Sequence, residues 1–313
     1  MNLIKHRFRL RLFIFQGGIF MQTALLHNGN AVNTIEYDES IHGSRLFCID
    51  KNCQAPLIYV GKSSTMNAHF KTTGKGDSRH LKGCGFYERL DILECVNKTK
   101  EYQTQMSDSL SETIIRLSMN RIDPDYQSKT IERETKEEKN EEKKVKLKNE
   151  TETPQSISSV KGEVKLLTEY EPDLLATILI NVGNGRKIPI SELIVNQQDA
   201  HHLLWLDRTL PKVGYFVYGL IDRVIKREKV MYINFKKEDD VPFTIVIFQK
   251  YWKEFSYTEE DLVGQHALVY GNLRKNEYEG NQKTEMLIKG DKYLEKFKTK
   301  KQLNNINTTK EDE

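Results

Sequence analysis

The stretch from Lys129 to Glu150 is almost all lysine and glutamate, eight basic against seven acidic side chains, with only Ile131, Val145 and Leu147 as apolar residues. So few anchors do not offset the entropy of ordering a backbone. No core runs through this block, which reads as a spacer dividing the chain. The 313 residues then suggest two main folded regions. The 38% hydrophobic and 30% charged residues fit a chain that is partly solvated. No apolar run reaches the roughly 18 residues of a membrane span. The net charge of +3 excludes a massively basic nucleic-acid coat. Lys5, Arg7, Arg9 and Arg11 sit in an acid-free start, and setting them aside leaves 44 basic against 45 acidic residues. Any nucleic-acid contact must therefore come from local patches.

Residues 1–20 contain an Arg-rich start and the short apolar run Leu12–Phe15, which resembles a secretory signal interrupted by Gln16-Gly17-Gly18. The same tripeptide can be encoded by a ribosome-binding sequence upstream of Met21. The preferred reading makes residues 1–20 a non-structural leader, and an ordinary disordered start is the remaining alternative.

All four cysteines fall between Cys48 and Cys95, together with His69 and His80. Cys48-x4-Cys53 and His80-x3-Cys84 form two short-spaced pairs. Zinc prefers four tetrahedral sulfur or nitrogen ligands, and two such pairs can close a site. Gly83 allows a tight turn in the second pair. Leu46-Phe47 and Leu57–Val60 read as a hairpin beside the first. Disulfides would need an oxidising compartment, so they and free buried thiols are the alternatives. The preferred ligands of a structural Zn2+ are Cys48, Cys53, His80 and Cys84. His69 competes for one place, and Cys95 reads as a small core residue. Between Lys62 and Lys82 five basic residues face the single acid Asp77, on a Gly- and Ser-rich loop that phosphates could approach.

The segment Ala24–Phe86 resembles the N-terminal zinc-finger region of CoiA-type competence proteins. The resemblance rests on Phe47-Cys48, Cys53, Ala55-Pro56-Leu57, His69-Phe70, His80 and Gly83-Cys84. It departs from that family in having four residues between its first cysteines, and Lys71 where a second histidine is usual. A nuclease-like downstream segment is also missing. The resemblance implies work with DNA.

The expected organisation is α+β and multidomain: a zinc-binding, β-rich domain at 21–96, a charged flexible linker at 97–155, and a helical intermediate segment at 156–210. A five-stranded OB-fold domain at 211–297 and a disordered tail at 298–313 complete it. Leu110, Ile114 and Leu117 suggest a short helix within 101–118. Val160, Val164, Leu166 and Leu167 suggest another, and Glu171-Pro172-Asp173 starts a third that runs through Leu174, Leu175, Ile178 and Ile180. Arg186–Val195 reads as a strand and a short helix. His201 and His202 are adjacent, do not share a helix face, and read as structural.

From Tyr215 the pattern changes to short strands at 215–221, 230–235, 243–248, 266–273 and 283–288, with a helix over Tyr251–Leu262. Five strands with a helix between the third and fourth is the OB-fold order, and roughly eighty residues suit that barrel. Phe216–Ile221, Thr244–Phe248 with Tyr251, and Leu262-Val263-Gly264 leading to Val269–Leu273 resemble the OB domains of bacterial replicative polymerase alpha subunits and of the anticodon-binding type. That resemblance implies binding of single-stranded nucleic acid. Alternation places Met231, Ile233 and Phe235 inside and Tyr232 and Asn234 outside. Tyr232 could stack a base, with Arg223, Lys226 and Arg227 on phosphates and Arg274 and Tyr278 contributing from the last hairpin. Residues 211–297 nevertheless hold fifteen basic and fourteen acidic side chains, so a protein partner is the competing reading.

No hydrolase elbow, phosphate-cradling glycine loop or paired-carboxylate signature stands out. The sequence thus reads as a non-enzymatic, cytoplasmic, bacterial protein that engages single-stranded DNA or RNA, accessory to DNA processing, transfer or competence. The alternatives are an interaction adaptor that docks a replication, transfer or defence protein, and a nuclease accessory or degenerate nuclease.

Overall fold

The computed structural model describes residues 20–106, 113–119, 123–125, 156–183, 185–300 and 302. The fold is mixed α+β, with three sheets that follow one another along the chain. The first has the order β2-β1-β3-β4-β5, from β1 (Thr23–Leu26), β2 (Ala31–Asn33), β3 (Leu46–Cys48), β4 (Pro56–Val60) and β5 (His69–Lys71). A bridge from Met21 to Phe70 ties its last strand back toward the first. Helix α1 (Glu39–His42) interrupts the sheet between β2 and β3.

Helix α2 (Ile92–Met106) crosses the boundary expected at 96/97, which corrects the start of the linker. Its two halves serve different cores. Ile92, Cys95 and Val96 pack with the central sheet, whereas Tyr102 and Met106 pack with the first one. The helix therefore joins the metal-ligand region to the rest of the molecule through buried contacts.

The second sheet has the order β7-β6-β8-β9, from β6 (Thr113–Leu117), β7 (Ser156–Ile157), β8 (Ile178–Gly183) and β9 (Arg186–Pro189). Helices α3 (Val160–Glu169) and α4 (Pro172–Leu175) lie between β7 and β8. Helix α4 starts where expected, but the later part of that run, Ile178 and Ile180, is strand β8, and Ile114 and Leu117 of the other expected helix lie on strand β6. Thr113, Ile114 and Ile115 are β-branched and lie parallel to Ile178, Leu179 and Ile180, so a pleated surface suits both runs. Strands β6 and β7 are also parallel neighbours, with Arg116 opposite Ser156 and Leu117 opposite Ile157. The chain that leaves the sheet after β6 returns to the adjacent position. Residues 97–106 and 113–117 of the expected linker are thus helix and strand. The Lys/Glu block itself and Leu110 lie outside the described residues, as do residues 1–19 of the expected leader.

The third sheet follows α5 (Ile190–Leu193). Its strands are β10 (Ile194–Asn196), β11 (Tyr215–Lys226), β12 (Val230–Phe235), β13 (Phe243–Phe248), β14 (His266–Gly271), β15 (Leu273–Tyr278), β16 (Asn281–Leu287) and β17 (Leu294–Phe297). They pair in the order β15-β16-β13-β12-β11-β14-β17, with β10 added beside β11. All strands expected here are present, and β10, β15 and β17 add to them. Residues 249–262 hold a 3-10 turn (Gln249–Glu254) and the short α7 (Glu259–Leu262) rather than one helix. Thr258 and Asp261 form a reciprocal capping box that starts α7 there. Helix α6 (Gln197–Trp205) packs at β15 and β16, where His201 Nδ1 lies 2.9 Å from Thr284 Oγ1. The segment 156–210, expected as helical, thus carries the strands β7 to β10 alongside its helices α3 to α6. Within the stretch expected as a tail, Lys300 N–H donates to Asp91 at 3.0 Å, and Gln302 donates to the Gly264 carbonyl at 3.0 Å; residues 303–313 lie outside the described residues. Among the described residues, no helix is long and apolar enough to cross a membrane.

Candidate metal centre and nucleic-acid interface

Two tight turns bring four metal-ligating side chains together. The chain after β3 folds through Asp50, whose carbonyl accepts from the N–H groups of Cys53 at 2.9 Å and Gln54 at 3.1 Å. Gln54 takes a positive φ of 46° to complete that turn. In the second turn Gly83 takes φ 90°, which a side chain would disfavour, and Cys84 N–H donates to the Leu81 carbonyl at 3.0 Å. The ligand atoms of Cys48, Cys53, His80 and Cys84 then all lie within 4.8 Å of one another.

The individual spacings test the fit to a metal. Zinc–sulfur bonds of about 2.3 Å and zinc–nitrogen bonds of about 2.0–2.1 Å in a regular tetrahedron require edges of about 3.8 Å between sulfurs and about 3.5 Å from sulfur to nitrogen. Cys48 and Cys84 sulfurs are 3.7 Å apart, and His80 Nδ1 lies 3.5 Å from the sulfurs of both Cys53 and Cys84. The donors therefore surround a space that can hold a metal ion, and their chemistry is consistent with zinc. The four cysteines are free thiols.

Backbone and buried charge hold the donors in place. Leu81 N–H donates to Cys53 Sγ and Phe86 N–H to Cys84 Sγ, both at 3.4 Å. Such outer contacts orient ligands. The thiols also share protons among themselves. The bond with Cys48 lowers Cys53 to about 4 and Cys84 to about 7, and the same bonds, with burial, raise Cys48. Burial lowers His80, but its bonds to Cys84 and Cys53 outweigh that and raise it overall. These shifts place thiolate character around the imidazole.

Asp50 links both turns to α2. Its fully buried carboxylate accepts from Asn52 N–H at 3.1 Å, Gly85 N–H at 3.2 Å, Tyr102 Oη–H at 2.9 Å and Lys98 Nζ at 2.6 Å. Burial alone would raise its pKa, but these donors more than compensate and lower it. Asp50→Ala would strand all of them, and a loss of about 3 kcal/mol in denaturant-induced unfolding is expected. An unchanged midpoint would remove this anchoring role.

His69 is not part of the cluster. It lies on β5 with Nδ1 2.9 Å from the Asn67 carbonyl, and its ring packs 4.2 Å from that of Phe20. Cys95 is buried on α2, in the central core.

No protein-family model matches this chain, and no curated protein matches it in sequence.

The third sheet sorts the other candidate residues. Met231, Ile233 and Phe235 are buried, and Tyr232 and Asn234 face outward. Cross-strand register places Arg223, Asn234, Thr244, Glu285 and Arg274 in one outward row over five strands. The Thr244 hydroxyl donates to Asn234 at 2.9 Å within it. A second row holds Ile225, Tyr232, Val246 and Leu287, and a third holds Val230 and Phe248. Lys226 pairs with Met231 and so points the other way, its ammonium 4.3 Å from the Trp252 ring centre. Arg227 is exposed in the β11–β12 turn. Tyr278 lies at the far hairpin tip opposite Asn281, roughly 20 Å from the Tyr232 row at about 3.3 Å per residue. Phe248, 41% exposed, is an aromatic that the sequence reading missed. Its signal was present: Phe243, Ile245 and Ile247 alternate inward, which leaves Phe248 outside.

A separate cleft of about 1020 Å³ opens between α2, α6 and β8, with Lys100 and Asp199 paired across it at 3.6 Å.

Proposed function

We propose that Cys48, Cys53, His80 and Cys84 hold one structural zinc ion, and that β11 to β16 form an OB-type barrel whose outer face takes up single-stranded DNA or RNA. All four metal places are filled by protein, which suits a structural rather than a catalytic ion. The barrel reading is supported by strand pairing. β11 pairs with both β12 and β14, and β13 runs parallel to β16. Only Asn272 separates β14, which lies on β11, from β15, which lies on β16. Read as one bent strand, β14 and β15 complete the OB ring.

The observation that carries the function is the outer face. Tyr232 and Phe248 offer aromatic surface in adjoining rows, flanked by Arg223 and Arg274. Aromatics stack on bases of any identity, and arginines pair with phosphates. The resemblance of the cysteine region to competence proteins, beside this face, supports a proposed cytoplasmic role accessory to DNA processing, transfer or competence. A second reading is an adaptor, favoured by the exposure of Ile225 and Phe248 beside a nearly neutral charge balance.

Anisotropy of labelled oligo(dT) and oligo(rU), measured with the full chain at low and high salt, separates the two. Binding that weakens with salt is expected. Tyr232→Ala and Phe248→Ala should each cost about 1–3 kcal/mol of that affinity. Flat curves for both polymers at low salt would overturn the nucleic-acid reading in favour of the adaptor.

A further inference from the structure

Two aspartates that precede the Lys/Glu block are seated against the 3-10 turn after β13 and the residue Lys289 beyond β16. Lys289 Nζ lies 2.8 Å from both carboxylate oxygens of Asp123 and 3.0 Å from Asp125 Oδ2. Lys250 Nζ lies 3.3 Å from the same Asp125 oxygen, and the Tyr251 hydroxyl donates to it as well. Both ammonium groups flank the Tyr251 ring, at 4.4 Å for Lys250 and 5.8 Å for Lys289. The hydrogen bond from Tyr251, followed by that from Lys289, holds Asp125 down to about 2. Two ammonium groups and a phenol hydroxyl converging on paired acidic oxygens are also the donor set that holds a phosphate.

The position of this pocket matters. Ile288 N–H continues the ladder by donating to the Val246 carbonyl at 3.1 Å, and Ile288 is buried. Lys289 thus follows the end of β16, and Lys250 follows the end of β13, its parallel neighbour. The aspartates are therefore held where β13 and β16, the strands that carry Phe248 and Leu287, both end.

We propose that Lys250, Tyr251 and Lys289 form a phosphate-binding site for a phosphodiester backbone, and that Asp123 and Asp125 occupy it as an internal competitor. A single strand lying along the Tyr232 rows displaces Asp123-Pro124-Asp125 by delivering a phosphate to the two lysines. This rests on the nucleic-acid reading of that face and adds its regulation.

The test compares oligo(dT) anisotropy for the full-length wild type, Asp123→Asn/Asp125→Asn, Lys289→Ala, and Asp239→Asn/Asp240→Asn. The last variant removes the same charge from the exposed β12–β13 turn, where Asp240 pairs loosely with Lys237 at 3.9 Å. Thermal unfolding of each variant checks that the fold is retained. Asp123→Asn/Asp125→Asn should bind about three- to tenfold tighter, the scale of one or two exposed ion pairs. The β12–β13 control should gain less than that, and Lys289→Ala should bind more weakly than wild type. Equal or weaker binding by folded Asp123→Asn/Asp125→Asn, while wild type binds, overturns the competitor and leaves the nucleic-acid face standing. A gain matched by the control shows general electrostatics and also overturns it. Absence of binding by every protein, wild type included, removes the nucleic-acid reading and this site together.

Discussion

Cys84→Ser is expected to abolish stoichiometric metal binding and to unfold the first sheet. The ligand is central: its sulfur lies 3.7 Å from Cys48 and 3.5 Å from His80 Nδ1, and it receives the Phe86 N–H. Cys48 and Cys84 are themselves part of that sheet's buried cluster, so the metal and the core share residues. Binding energy at structural zinc sites is about 10–16 kcal/mol and is largely folding energy. Removing one ligand should therefore cost on the order of 5 kcal/mol in the first region. Metal analysis of purified protein checks the first part, with one zinc per chain expected for wild type and only traces for the variant. His69→Ala should keep its metal, because that ring points at Phe20 rather than at the sulfurs. A Cys84→Ser protein with a full complement of zinc would refute the site.

Glu163→Leu is expected to stabilise the protein, and more so as pH rises. Glu163 lies on the buried side of α3 with Val160, Leu166 and Leu167, and neither carboxylate oxygen has a hydrogen-bond partner. Burial raises its pKa from 4.5 to about 8. A carboxyl raised on folding binds a proton more tightly in the native state. Wild-type stability therefore falls as pH climbs from the unfolded value toward the folded one, and levels off above it. Asp173, raised to about 6, and Glu171, raised to about 7, chiefly by burial, act in the same direction. Glu163→Leu removes the largest of these penalties. A gain on the order of 3 kcal/mol is expected near pH 8, and a smaller one near pH 5. Urea unfolding at both pH values gives the comparison, and parallel pH profiles for variant and wild type would disprove it.

The ligands of the metal centre were legible because each pair is local in sequence, and thiol and imidazole chemistry narrows what such pairs do. The choice between His69 and His80 was not, since both fall in the same window. Only strand β5, which takes His69 into a ladder opposite Val60, separates them. Helix α2 was read as linker for a physical reason. Its apolar residues form two short groups that face different cores, so no single stripe runs along it. Strand β6 was read as helix because its partner β8 lies more than sixty residues away and leaves no local mark. In the third sheet the alternation of Val230–Phe235 was enough to sort its faces. The reversal of Lys226 relative to Tyr232 follows from register, which composition does not carry.

The parallel contact between β6 and β7 has a bearing on how the molecule tolerates damage. The peptide between them begins and ends at neighbouring positions of one sheet, so its length sets no distance between the other parts. A protease nick anywhere in residues 126–155 would give two pieces that still share the central core, α2 on one side and α3 on the other. The cut protein should run as an intact particle under native conditions and come apart only in denaturant.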